Sequence, residues 1–252
     1  MGKLLWEIQS YWDSRAEGYS KVNQDELNSE QKEKWLALLQ EKFPERCPEE
    51  ISVLDVGTGP GFFAVILAEQ GYRVTAVDYT EAMLEQAKRN AGIYADRSCW
   101  GRMDAQNLQF EAEQFDVVVS RNLTWNLENP EQAYREWYRV LKKGGVLLNF
   151  DANWYMHLVN KELRKAYEED RRNVESMKLE DHYTCTDTEW MESIARQMPL
   201  TPVMRPSWDC RVLKRIGFTA VKAEDDVGER VWSLTEKMNN GSTPMFCVEA
   251  FR

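Results

Sequence analysis

Four short apolar runs constrain this chain most: "ISVLDVG" at 51–57, "YRVTAVD" at 72–78, "FDVVVSRN" at 115–122 and "VLLNFD" at 146–151. Each is too brief and too continuously apolar for an amphipathic helix, and reads as a strand buried on both faces. Helical patterns separate them. "GFFAVILAEQG" stops at Gly71; "TEAMLEQAKRNA" has Thr80 as its N-cap and Met83, Leu84 and Ala87 facing inward; "PEQAYREWYRVLKKGG" opens on Pro130 and ends before Gly144 or Gly145. Strands alternating with such helices make βαβ units, hence a parallel sheet with right-handed crossovers.

The flanks read differently. Residues 1–45 are helical in pattern, with Trp35, Leu36, Leu38, Leu39 and Phe43 close to helical spacing behind an N-cap at Asn28 or Ser29. After Asp151 the strand period disappears, and residues 152–206, including "KELRKAYEEDRRNVESM", are expected to form a helical insertion lying over the sheet. "SWDCRVLKRIGFTAVKAEDD" then returns to helix and strand, and "TPMFCVEAFR" closes the sheet. At 252 residues the chain suits one large α/β domain with a sizeable core.

Composition excludes some partners. A net charge of -10, with Lys and Arg dispersed among Asp and Glu, is the wrong balance for gripping many phosphates, so nucleic acid is not expected as substrate. No run is long and apolar enough to span a membrane, and "MGKLLWEIQSYW" lacks an export h-region, so a cytoplasmic location without membrane attachment is expected. Cys47, Cys99, Cys185, Cys210 and Cys247 form no close pair, which suits reduced thiols and gives no reason to expect a metal.

The segment "LDVGTGPGFFA" carries the chemistry. Gly57, Gly59 and Gly61 bare the backbone between a strand and the helix that follows, where unpaired N–H groups and the positive end of the helix dipole face the crevice above the sheet. The GxGxG spacing, with Pro60 in the turn, differs from the GxGxxG of dinucleotide sites and fits a ligand without a pyrophosphate. Asp78, 17 residues beyond Gly61, ends the second strand where it can accept from ribose hydroxyls. A nucleoside is the implied ligand.

"LDVGTGPG", "VTAVDYTEAML", "GRMDAQNL", "FDVVVSRN" and "LKKGGVLLNFD", in this order, resemble the class I S-adenosylmethionine-dependent methyltransferases that act on small molecules; the likeness is close over residues 50–151 and looser beyond. The resemblance implies a Rossmann-like, doubly wound α/β fold: a seven-stranded, mostly parallel sheet with its last strand antiparallel, N-terminal helices (1–45), a cofactor-binding core (50–151), an inserted helical lid (152–206) and a C-terminal part of the sheet (207–252). It implies S-adenosylmethionine as cofactor, with S-adenosylhomocysteine as product. Gly57, Thr58, Gly59 and Gly61 would shape the methionine and ribose pocket, Asp55 would orient that loop, and Asp78 would take the ribose. Tyr79 and Met83 would pack on the adenine, Asp104 and Ala105 would meet its edge, Arg121 and Asn122 would border the methionine, and Tyr11 and Tyr19 would close over the cofactor.

Transfer from a sulfonium is an in-line displacement that asks chiefly for positioning. Where a base is needed, Asp151 and His157 stand nearest the strand ends, with His182 third, since histidine changes protonation near neutral pH. Trp125, Trp154, Tyr155, Tyr183, Trp190 and Trp208 suit an apolar acceptor pocket, and each equally suits plain packing. An O, N or S atom of a small acceptor is the expected target, in a monomer or homodimer. A non-catalytic cofactor-binding protein and an arsenite-type enzyme using Cys185 and Cys210 remain the alternatives.

Overall fold

The computed structural model describes residues 2–182 and 186–252, and a strand lies over each of the four apolar runs. In chain order the elements are α1 (Lys3–Leu27), α2 (Gln31–Lys42), β1 (Ser52–Val56), α3 (Phe62–Glu69), β2 (Arg73–Asp78), α4 (Glu81–Ala91), β3 (Cys99–Arg102), β4 (Phe115–Arg121) and α5 (Pro130–Val140). They continue with β5 (Leu141–Asp151), α6 (Lys161–Ser176), α7 (Thr188–Ala195), α8 (Ser207–Ile216), β6 (Thr219–Glu224), α9 (Gly228–Val231), α10 (Leu234–Asn239) and β7 (Phe246–Phe251). The seven strands form one sheet in the order β3-β2-β1-β4-β5-β7-β6. β7 runs antiparallel to both its neighbours and the other pairings are parallel, so the strand order reverses between β1 and β4. A crevice opens at such a reversal, outside the carboxyl ends of the strands.

Period-2 alternation sends successive residues to opposite cores. Val53, Val117, Val119, Val146, Leu148 and Phe150 meet Trp35 of α2 and Phe62, Phe63 and Ile66 of α3 on one face. Leu54, Val118 and Leu147 meet Tyr134 and Trp137 of α5 and Val212 and Leu213 of α8 on the other. Trp35 is fully buried, with the Phe63 and Phe150 rings both 5.2 Å away in edge-on contact. Such contacts add about 0.5–1.5 kcal/mol each beyond the area they bury.

The local differences from the sequence reading have identifiable causes. α5 stops at Val140 rather than running on to the glycines, because Leu141 already pairs with Phe115. Asn28 caps the end of α1 instead of opening α2, whose N-cap is Glu30, while the Ser29 hydroxyl accepts from Gln31 N at 3.2 Å. Thr80 stands at the N-cap of α4 without capping it through its side chain. Residues 152–206 pack less on the sheet than on α1 and α10. Met191, Ile194 and Ala195 of α7 close a third core with Ile8 and Tyr11 of α1.

Candidate functional site

Both faces of the β1 turn are set by glycine. Gly57 (φ +68°), Gly59 (φ +52°) and Gly61 (φ +91°) all occupy the left-handed region that other residues avoid. Their surroundings differ. A Cβ on Gly57 would lie 2.6 Å from Leu123 Cδ2 and one on Gly61 2.9 Å from Ala87 Cβ, whereas one on Gly59 would meet only Tyr19 Cε1, at 3.6 Å. Gly61 therefore serves the packing of α3 on α4 and does not face the crevice. Gly57 and Gly59 do face it.

The Asp78 carboxylate crosses the mouth of this turn, accepting from Gly59 N and Thr80 N at 2.9 Å each. Burial pushes its pKa up, opposed by these same N–H groups. Asp55 stands behind the turn, 2% exposed, and accepts from the Thr58 hydroxyl at 2.6 Å. Burial lifts its pKa to about 6, against the pull of Thr58 and Arg121. Asp55 and Thr58 therefore brace the loop from below and line neither cleft.

The first cleft, about 890 Å³ with its open mouth included, brings Gly57, Gly59, Asp78, Tyr79, Met83, Asp104, Ala105, Arg121, Asn122 and Tyr19 together. Asp104 Oδ1 accepts from Gln106 N and Nε2, which fixes the turn after β3. The Arg121 guanidinium is turned away into a two-pronged pair with Glu26 of α1, at 2.9 and 2.8 Å, and lies 4.5 Å from the Phe62 ring centroid. Only the strand end of Arg121 is left to serve a ligand.

A second chamber of about 1110 Å³ adjoins the first and shares Trp12, Tyr19 and Asn122 with it. Its walls include Tyr11, Trp125, Trp154, Tyr155, His157, Tyr167, His182 and Met191. Tyr11 is thus placed here and not over the first cleft. Trp190 packs edge-on against Tyr11 from behind, at 5.4 Å, and Trp208 sits against Tyr134 in the α5–α8 core, so neither forms a wall. Tyr183 and Cys185 lie outside the described residues.

Asp151 is not a free base. Fully buried, it is bonded to Arg205 Nη1 at 2.6 Å and accepts from Trp125 N and Trp154 Nε1, both at 3.0 Å. Arg205 in turn holds Asp209, which takes the Tyr134 hydroxyl at 2.5 Å. The expected base is a structural strut that aims two tryptophans at the chamber. His157 does reach the chamber wall, 4% exposed, stacked on Tyr167 with centroids 4.1 Å apart and planes 4° from parallel. Burial, helped by Arg164, depresses its pKa to about 4, so it is neutral at pH 7.

The reading from sequence missed most of what α1 contributes. Ile8 and Trp12 are spaced i, i+4 on one face of α1 and line the first cleft, and Trp12 Nε1 donates to Asn126 Oδ1 at 2.7 Å. An apolar stripe along residues 4–19 was the available signal, hidden by the charged residues between.

The family model described as a methyltransferase domain matches residues 54–149, which hold the glycine turn, Asp78, Asp104 and the end of β4. Residues 54–149 thus match a methyltransferase domain, and their ordered motifs resemble its class I, S-adenosylmethionine-dependent members. A similar protein is the ubiquinone/menaquinone biosynthesis C-methyltransferase UbiE of Roseobacter denitrificans, 29% identical over 171 residues that cover 66% of each chain. A demethylmenaquinone methyltransferase of Leptospira interrogans is 38% identical over 109 residues, 40% of this chain and 43% of that one. The chain thus spans less than two thirds of the length of these curated relatives. In fold, the methyltransferase domain with its flanks is similar to the putative methyltransferase solved with the Haloferax volcanii Trm112 activator: TM-score 0.62, 18% identity, 95% of this chain and 96% of that one covered.

Proposed function

We propose that the chain transfers the methyl group of S-adenosylmethionine to an O, N or S atom of a small molecule held in the aromatic chamber. The observation that carries this reading is the junction: one cleft over bared glycines and a strand-end carboxylate shares Trp12, Tyr19 and Asn122 with a second chamber walled by rings.

The residues present fit the cofactor. Gly59 leaves its side of the turn open, and Asp78, held by donors from Gly59 and Thr80, lines the cleft as an acceptor for the ribose hydroxyls. Met83, Met103 and Ala105 offer an apolar bed for a flat base, and Asp104 an acceptor at its edge. When bound, the cofactor supplies an activated methyl group on a sulfonium. The chain's own part is to hold the acceptor about 3–3.5 Å from that carbon and in line with the bond to be broken. Tyr19, Trp12 and Asn122 border that point, while the neutral His157 stands farther along the wall beyond Trp125 and Tyr155.

Isothermal titration with S-adenosylmethionine and S-adenosylhomocysteine tests this. Comparable binding of both, one per chain, supports the reading. Absence of binding, or saturable binding of NADH instead, overturns it.

A further inference from the structure

Resting on the reading of the aromatic chamber as the acceptor site, we propose that Arg15, together with Asn240, binds a carboxylate carried by a planar aromatic acceptor. Arg15 of α1 lines the chamber and is partly buried. Among the described residues its guanidinium has no ion pair or hydrogen bond, whereas every other arginine at least partly buried is paired: Arg121, Arg139, Arg171, Arg205 and Arg252. A chain of net charge -10 has carboxylates to spare, so leaving this one cation unpaired against apolar walls marks a place for an outside anion. The planar fork of arginine matches a carboxylate in two parallel bonds.

Two further observations converge on the same chamber. Gly18 sits in the interior of α1, where glycine weakens a helix, and a Cβ there would come 3.1 Å from Arg15 Nη1. Its missing side chain leaves the track along which the guanidinium lies. Asn240, 9% exposed just after α10, lines the chamber from the opposite end of the sequence, and its side-chain amide makes no hydrogen bond among the described residues. Its N–H₂ is a second unpaired donor on the wall of the same chamber, suited to a carboxylate ligand. The acidic groups of the chamber do not answer Arg15, since Glu192 is held by Arg196 at 3.6 Å and Glu180 is exposed. An aromatic acceptor suits walls built from the rings of Trp125, Tyr155, His157 and Tyr167.

The test uses the full chain saturated with S-adenosylhomocysteine, titrated calorimetrically with hydroxybenzoates and aminobenzoates and with the matching carboxamides as neutral isosteres. At least one carboxylate is expected to bind about tenfold or more tightly than its carboxamide, the scale of one lost charged hydrogen bond. Arg15→Met should abolish that preference, Arg15→Lys should keep part of it, and Asn240→Ala should reduce it, all with unchanged S-adenosylhomocysteine affinity. Equal binding of both series, binding of neither, preference for amines, or a preference that survives in Arg15→Met would overturn the proposal. Failure to bind S-adenosylhomocysteine would remove the methyltransferase reading as well, whereas its binding without the carboxylate preference removes this inference alone.

Discussion

Asp78 braces the Gly59 turn and, in the proposed reading, holds the ribose. Asp78→Ala is therefore expected to weaken S-adenosylmethionine binding by roughly 1–3 kcal/mol, the loss of charged hydrogen bonds, with calorimetry as the check. Gly57 and Gly61 look alike in the sequence, and the structure separates them. Gly57→Ala would collide with Leu123 inside the cleft, so cofactor affinity should fall with stability. Gly61→Ala would collide with Ala87 between helices, so thermal stability should fall by more than about 1 kcal/mol while protein that remains folded still binds. The glycines were legible as a turn; which served the ligand was not, because that depends on Leu123 and Ala87, far off in sequence. His157 gives a pH prediction. Its unfolded imidazole titrates near 6.5 and the folded one near 4, so the unfolded chain takes the proton first. Stability is then lost as pH falls through that window, by roughly 3 kcal/mol at full extent. Asp55, raised to about 6, acts with the opposite sign. The informative quantity is thus a difference: in urea titrations at pH 7 and pH 4.5, His157→Phe should lose less stability than the parent chain, and an equal loss would contradict the assignment.

α1 contributes to both clefts and is tied down by the Glu26–Arg121 pair, both partners largely buried. Glu26→Gln leaves the guanidinium without its charge partner, and amide exchange along α1 should quicken, with faster cofactor release. α1 exchange unchanged from the parent would argue against this tether. A second buried group, Arg205 between Asp151 and Asp209, holds the chamber wall through Trp125 and Trp154. Removing one member of such a group costs about 3–5 kcal/mol, so Arg205→Met should lower the denaturation midpoint sharply or prevent folding. The main strands and α2 through α5 were readable because each carries its own apolar period. β3 was not singled out: four residues at the sheet edge, "CWGR", hold too little pattern to register. α9 and α10 are short, and their residues were passed over for the same reason. Asp151 was misread because a carboxylate at a strand end looks the same in sequence whether it meets a ligand or a buried arginine 54 residues away.

Across the whole molecule, the reversal of strand order between β1 and β4 places the glycine turn, the end of β2 and the end of β4 around one opening, which α1 lines from outside the core. Much of the lining of the first cleft could be read from sequence because its residues between Gly57 and Asn122 lie in ordered motifs. The chamber could be read only in part, through Trp125, Trp154, Tyr155, His157 and His182; its walls from α1, α6, α7 and the end of α10 could not, since those residues meet only on folding. The most direct measurement is a crystal structure of the full chain grown with S-adenosylhomocysteine. Its ribose is expected at Asp78, its base against Met83 and Ala105, and its sulfur at the junction of Tyr19 and Asn122, facing the aromatic chamber. Density for the ligand elsewhere, or a sulfur turned away from that chamber, would contradict the assignment.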